Sequence, residues 1–341
     1  MSESQKTLIS QTPSYLHAAS LLDQAITALR KTSDTKKRVD ELCKLRLIYG
    51  EKTHKEMILF SQTANIGDAV EQTRKSMEGK TLKQSIFSLV LLGASPSVAD
   101  LRKTVQEICA KHPLQVMFPM QIQNENGRVT ARQPSMFSGD PNEVEEAILA
   151  EMFKHSANFY QGTFANAAIE PARYQINLEH HMRINDWLPI VFNSPFVPMN
   201  REYIFAEGLD AGLKGNFMIA AHLLIPQVEN SMRVLLNQLG INTTSYNAKG
   251  IQDEDNINTF YRDHRSTLEK IFGEDMAFDF EGLLISRYGM NLRNRMAHGL
   301  IDHGEFTQSH FSYLWWLVLQ AVCLPIINHF SPEETNISIV E

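Results

Sequence analysis

Cysteine is scarce in this chain of 341 residues: Cys43, Cys109 and Cys323 lie far apart and match no CxxC or Cys/His metal spacing. An odd, scattered set excludes a disulfide scaffold and suits reduced thiols acting as small core hydrophobes in a cytosolic protein. No GxxxxGK[ST] occurs, nor a GxGxxG after a strand, so a nucleotide phosphate loop and a dinucleotide fold have no support. Neither a GxSxG elbow nor an HExxH helix is found, which removes two common hydrolase classes. Long apolar runs are missing as well. The richest, residues 311–327, falls short of the ~20 residues a membrane span needs and contains Ser312, Gln320 and Pro325, so it reads as a buried core helix. The opening MSESQKTLISQTPSY has no basic region followed by an apolar run, so the expectation is no secretory signal, no membrane association and a cytoplasmic location. A net charge of -7 argues against a surface that coats nucleic acid, and any polyanion contact must be local.

What is present points to a mainly α protein. With 43% hydrophobic residues the chain can build one large or two ordinary domains. Leu16, Ala19, Leu22, Ile26 and Leu29 recur at steps of three or four, which predicts a helix with one apolar stripe. Ser33-Asp34, Ser97 and Asp140-Pro141 read as helix starts, each offering a short side-chain oxygen to the free amides of a first turn. Between 112 and 138 the pattern changes. Leu114, Val116, Phe118, Met120 and Ile122 alternate, and Asn124-Glu125-Asn126-Gly127 precedes Val129, which predicts a β-hairpin near 114–132 as the one sheet of the chain. Two prolines in Ser194-Pro195-Phe196-Val197-Pro198 place a domain boundary there, giving an N-terminal helical region 1–193 and a C-terminal domain 194–341. In the latter, helices are predicted at 201–213, 216–239 with a kink at Pro226, 258–272, 278–288 and 306–330, with 243–256 as a surface loop. These pack most economically as a helical bundle. Of the consecutive Trp315 and Trp316, one is expected in the core and the other against a partner surface.

Acidic residues are absent from 282–301, whereas Arg287, Arg293 and Arg295 are all there, around His298. The chemistry sits in Arg293-Asn294-Arg295-Met296-Ala297-His298-Gly299. On a continuous helix Asn294 and His298 share a face, while Arg293 and His298 stand roughly 140° apart and flank a space in which a phosphodiester fits. There a guanidinium fork holds charge and an imidazole moves a proton, neither needing a metal or cofactor. Arg295 and Arg287 are auxiliary substrate-binding candidates, with solvated surface roles as the alternative. His222, His303 and His310 are either supporting or incidental, and His180-His181 reads as surface.

RNxxxHG resembles the signature of a domain-of-unknown-function branch of the HEPN superfamily, an all-helical group rich in metal-independent ribonucleases. The likeness extends to PFVPMNREYIFAEGLDAGLKGNFMIAAHLLIPQVENSMRVLLNQLG, IFGEDMAFDFEGLLISRYGMNLRNRMAHGLID and YLWWLVLQ, and more loosely to PLQVMFPMQIQNENGRVTARQPS. The resemblance implies a HEPN-like bundle that homodimerises with both motifs at the interface. Arg293 and His298 would then be catalytic, Asn294 a positioner, and Glu229, Arg233 and Gly299 supporting. It also implies an endoribonuclease with RNA as substrate, serving as a bacterial toxin or antiviral effector alongside an antitoxin or defence-system partner. Two rivals stand beside it: a catalytically inactive RNA- or partner-binding scaffold, and an interaction protein whose motif arginines pair with acids from elsewhere in the fold.

Overall fold

The computed structural model describes Ser4 and residues 14–53, 65–123, 128–246 and 249–329. It is mainly helical and divides into two compact units, one built from Met1–Ala64 and Leu114–Ala147, the other from Asn65–Pro113 and Ile148–Glu341. In the first, α1 (Tyr15–Leu29) starts where the Ser14 hydroxyl accepts from the His17 amide. It packs Ala18, Ala19, Leu22 and Ile26 against Val39, Leu42 and Tyr49 of α2 (Lys36–Thr53). The stripe is the predicted one with Ala18 in place of Leu16, which is 49% exposed. An Arg46–Asp23 pair at 3.0 Å closes the edge of this helix pair. The predicted hairpin is present but shorter: β1 (Met120–Gln123) pairs antiparallel with β2 (Val129–Gln133), Met120 opposite Gln133. Pro113–Val116 forms a helical turn instead of strand, and the turn at 124–127 lies outside the described residues.

The second unit comprises α3 (Gly67–Met77), α4 (Leu82–Val90) and α5 (Val98–Lys111), with α5 capped by Ser97 as predicted. Next comes α6 (Pro141–His155), which belongs to this unit from Ile148 onward and continues through π-helical turns at Ser156–Gln161 and Ala165–Ile169 into α7 (Glu170–Glu179). Then follow α8 (Ile184–Val191), α9 (Glu202–Leu213) and α10 (Phe217–Gln238), the last unbroken by Pro226. Residues 243–256 are not all loop: β3 (Thr244–Tyr246) pairs with β4 (Gln252–Glu254), a second small sheet. Its strands are polar on both faces, so no apolar alternation announced them. The chain ends its described course with α11 (Ile257–Phe272), α12 (Glu274–Leu284), α13 (Leu292–Ala297) and α14 (Ser309–Cys323), followed by a 3-10 segment (Leu324–His329). Pro325 explains why α14 stops short of the predicted end.

Helix α14 is the hub. Every residue from His310 to Cys323 is buried, as its nearly unbroken apolar sequence requires of a helix covered on all sides, and the apolar run is therefore a core helix. Both indoles point inward, against the expectation that one would need a partner surface. Trp315 donates to the Leu209 carbonyl of α9 at 3.1 Å and Trp316 to the Leu89 carbonyl of α4 at 2.8 Å. Gln320 donates to Val90 and Gly93, both at 2.8 Å. These bonds explain why compactness does not divide at Ser194: residues upstream of it supply one wall around the C-terminal helix. Of the cysteines, Cys323 is buried and Cys43 and Cys109 are half-buried, all three free.

A tight approach fixes α9 on α14. A Cβ built on Gly212 would lie 2.1 Å from Trp315 Cδ1. Because that indole is buried and tethered, Gly212→Ala is expected to destabilise the fold by about 2 kcal/mol through overpacking, read as a lower urea midpoint at unchanged slope.

Candidate functional site

The motif helix α13 is only six residues long, and both of its ends are unusual. Asn291 at the entry adopts a left-handed conformation, φ 51°, which asparagine tolerates better than most residues. At the exit, Gly299 has φ 63°; its amide donates to Met296 O and that of Leu300 to Arg295 O, the paired bonds of a Schellman turn. Gly299 is therefore the left-handed residue that ends the helix. His298 stands just outside regular helix at φ -93°, ψ 3°, so the 140° separation computed for a continuous helix does not carry over. Its amide still donates to Asn294 O, while the imidazole is exposed and makes no hydrogen bond or ion pair among the described residues.

Arg293, by contrast, is engaged on three of its N–H bonds. Its Nε and Nη2 donate to Glu229 Oε2 at 2.8 Å and Oε1 at 3.3 Å, a forked pair with a buried carboxylate of α10. Nη1 donates to Asn294 Oδ1 at 3.2 Å. A guanidinium has five N–H bonds. With three engaged, two remain on a group that is 26% exposed. Asn294 in turn donates to Asn291 Oδ1 at 2.7 Å and receives a long bond from Asn258 at 3.5 Å, so it positions its neighbours by contact. Glu229 thus joins the motif from a helix more than sixty residues upstream.

The stretch without acids is neutralised in space. Besides Arg293–Glu229, Arg295 pairs with Glu305, a buried residue on the turn before α14. The isolated positive island anticipated around His298 is therefore two ion pairs beside an exposed imidazole. Arg295 is committed to Glu305, and Arg287 lies exposed in the turn between α12 and α13. Arg233 is 3.6 Å from Glu229 and forms the second cationic neighbour of that carboxylate. Among the other histidines, His222 bonds Met218 O through Nδ1, and His310 is buried close enough to Arg295 to feel its charge. Desolvation first, and Arg295 second, push the His310 pKa down to about 4.

Three contributors were not singled out from sequence: Asn291, Asn258 and Glu305. Asp302-x-x-Glu305 did carry a readable signal, because each side chain accepts the other's backbone amide in a capping arrangement. Asn291 and Asn258 carried none, since a left-handed asparagine and a partner thirty-six residues away depend on the fold. No group of three or more His, Cys, Asp and Glu side chains arranged to hold a metal occurs among the described residues. Compared with protein-family models, curated proteins and solved structures, the chain finds no match.

Proposed function

We propose that the protein is a metal-independent endoribonuclease of HEPN type, cytoplasmic and active as a homodimer whose two motifs form one composite site. The observation that carries this reading is that one short motif holds both an exposed, uncommitted imidazole, His298, and a guanidinium, Arg293, that is anchored yet retains two N–H donors. The sequence resemblance supports it independently. In the reaction, one His298 accepts the proton of the RNA 2′-hydroxyl, whose oxygen attacks the adjacent phosphorus in line. The partner's His298 protonates the departing 5′-oxygen, leaving a 2′,3′-cyclic phosphate and a 5′-hydroxyl. Arg293 binds the charge that grows on the phosphorane oxygens. One chain supplies a single motif histidine, so acid and base together require two chains.

A second reading has its own observation. Both motif arginines carry acid partners from elsewhere in the fold, Glu229 and Glu305, which lowers the local positive charge and favours an interaction protein whose bundle pairs chains without cleaving RNA. Any RNA cleavage by the purified protein rules the second reading out, and dilution then tests whether the site is composite. A composite site is expected to lose specific cleavage activity as the chain concentration falls below the dimer dissociation constant, with the rate rising as the square of concentration there. Cleavage per chain that stays constant through the monomer range, with mass measured alongside, would refute the composite site.

A further inference from the structure

We propose that Arg233 is a positioning residue for Arg293, acting through the carboxylate of Glu229 that the two arginines share and keeping the pair attractive to phosphate. This rests on Arg293 as an anion-binding group. Glu229 is only 9% exposed, so its charge is poorly hydrated and acts strongly on whatever lies beside it. Against one guanidinium such a carboxylate cancels the charge. Against two it leaves an excess of one positive unit, and here two approach it: Arg293 forked at 2.8 and 3.3 Å, and Arg233 at 3.6 Å from the same Oε1 that accepts from Arg293 Nη2.

Arg233 is itself held from several directions. Its Nη2 donates to the Asp255 carbonyl at 3.0 Å, its Nε lies 3.0 Å from Glu254 Oε2, and its guanidinium sits over the Phe260 ring with 5.5 Å to the centroid. Glu254 is 63% exposed, so water screens it and it offsets Arg233 far less than Glu229 offsets Arg293. The closing end of the β3–β4 hairpin therefore seats Arg233, and a few residues on Asn258 reaches Asn294. One short segment thus touches both the arginine that modulates Glu229 and the asparagine that receives Arg293.

The test uses the full chain and a single-stranded RNA oligonucleotide of 2′-O-methyl residues, which carries the phosphates but no nucleophile. Arg233→Gln is expected to weaken binding about five- to tenfold at low salt, whereas Arg233→Lys, keeping the charge, stays within about twofold. Glu229→Gln is expected to bind this probe more tightly, about fivefold, yet to cleave ordinary RNA at least tenfold more slowly, because Arg293 loses its fork. Lysine as damaging as glutamine, or glutamine without effect on binding, overturns the proposal. If the unaltered protein binds no RNA, the ribonuclease reading fails separately. The coupling is then read from thermal unfolding of Arg233→Gln, Arg293→Gln and the double variant: non-additive losses are expected, and additive ones reject a shared carboxylate.

Discussion

His298→Ala is expected to reduce RNA cleavage by two to four orders of magnitude, about 10²–10⁴-fold, while leaving the unfolding curve where it was. The separation of the two effects is what makes the variant informative. The imidazole is exposed and bonds to nothing among the described residues, so its removal leaves no stranded partner and no cavity. Its amide bond to Asn294 O and the Gly299 turn that follows are backbone features that alanine keeps. Arg293 is a poorer probe, because removing it leaves buried Glu229 facing Arg233 alone at 3.6 Å and damages fold and site together. Activity that survives His298→Ala within tenfold would show that His298 is not the catalytic imidazole and would refute this assignment.

The second large effect concerns stability and lies in the core. Asp279 of α12 is 1% exposed, accepting from Tyr313 Oη at 2.5 Å and from Gln161 Nε2 at 2.8 Å. Desolvation lifts its pKa to about 6, against the lowering pull of those hydrogen bonds. A carboxyl raised in the folded state contributes stability that is fully present below the unfolded pKa and is lost as pH rises through about 6. His310 has the opposite sign. Lowered to about 4, it contributes stability present above 6.5 and lost as pH falls towards 4.

Across the interval between pH 4 and 6.5 the two therefore oppose each other, each worth about 3 kcal/mol from a shift of roughly two units. Asp279→Asn keeps a neutral acceptor for Tyr313 and is expected to gain up to about 3 kcal/mol at pH 8, an advantage that vanishes by pH 4. With Asp279 gone, the acid limb set by His310 is unopposed and steepens. His310→Leu should do the reverse, its stability relative to the unaltered chain growing by about 3 kcal/mol as pH falls from 7 to 4. Urea midpoints at four pH values measure both, and parallel curves for all three proteins would contradict the assignment.

Much of this arrangement was legible in the chain. The helical periods, the Ser97 and Asp140-Pro141 starts and the buried character of α14 follow from local spacing and composition, and the structure has them. What local pattern could not supply is pairing across distance. The acid-free run at 282–301 reads as a positive island along the chain, yet Glu229 and Glu305 meet its arginines in space. The burial of both indoles depended on α4 and α9 closing on α14 from two sides, and only the assembled unit has those carbonyls in place. His298 was placed on a helix face that ends one residue too soon, because the left-handed turn at Gly299 cuts the helix at Ala297.

The most direct test of the central reading is end-group analysis of RNA incubated with the purified protein in chelator. The expected products are 5′-hydroxyl ends and 2′,3′-cyclic phosphates, absent with His298→Ala and absent when the substrate is the 2′-deoxy polymer. Intact RNA at concentrations where the protein is dimeric, or cleavage that requires added divalent metal and proceeds on DNA, would contradict it.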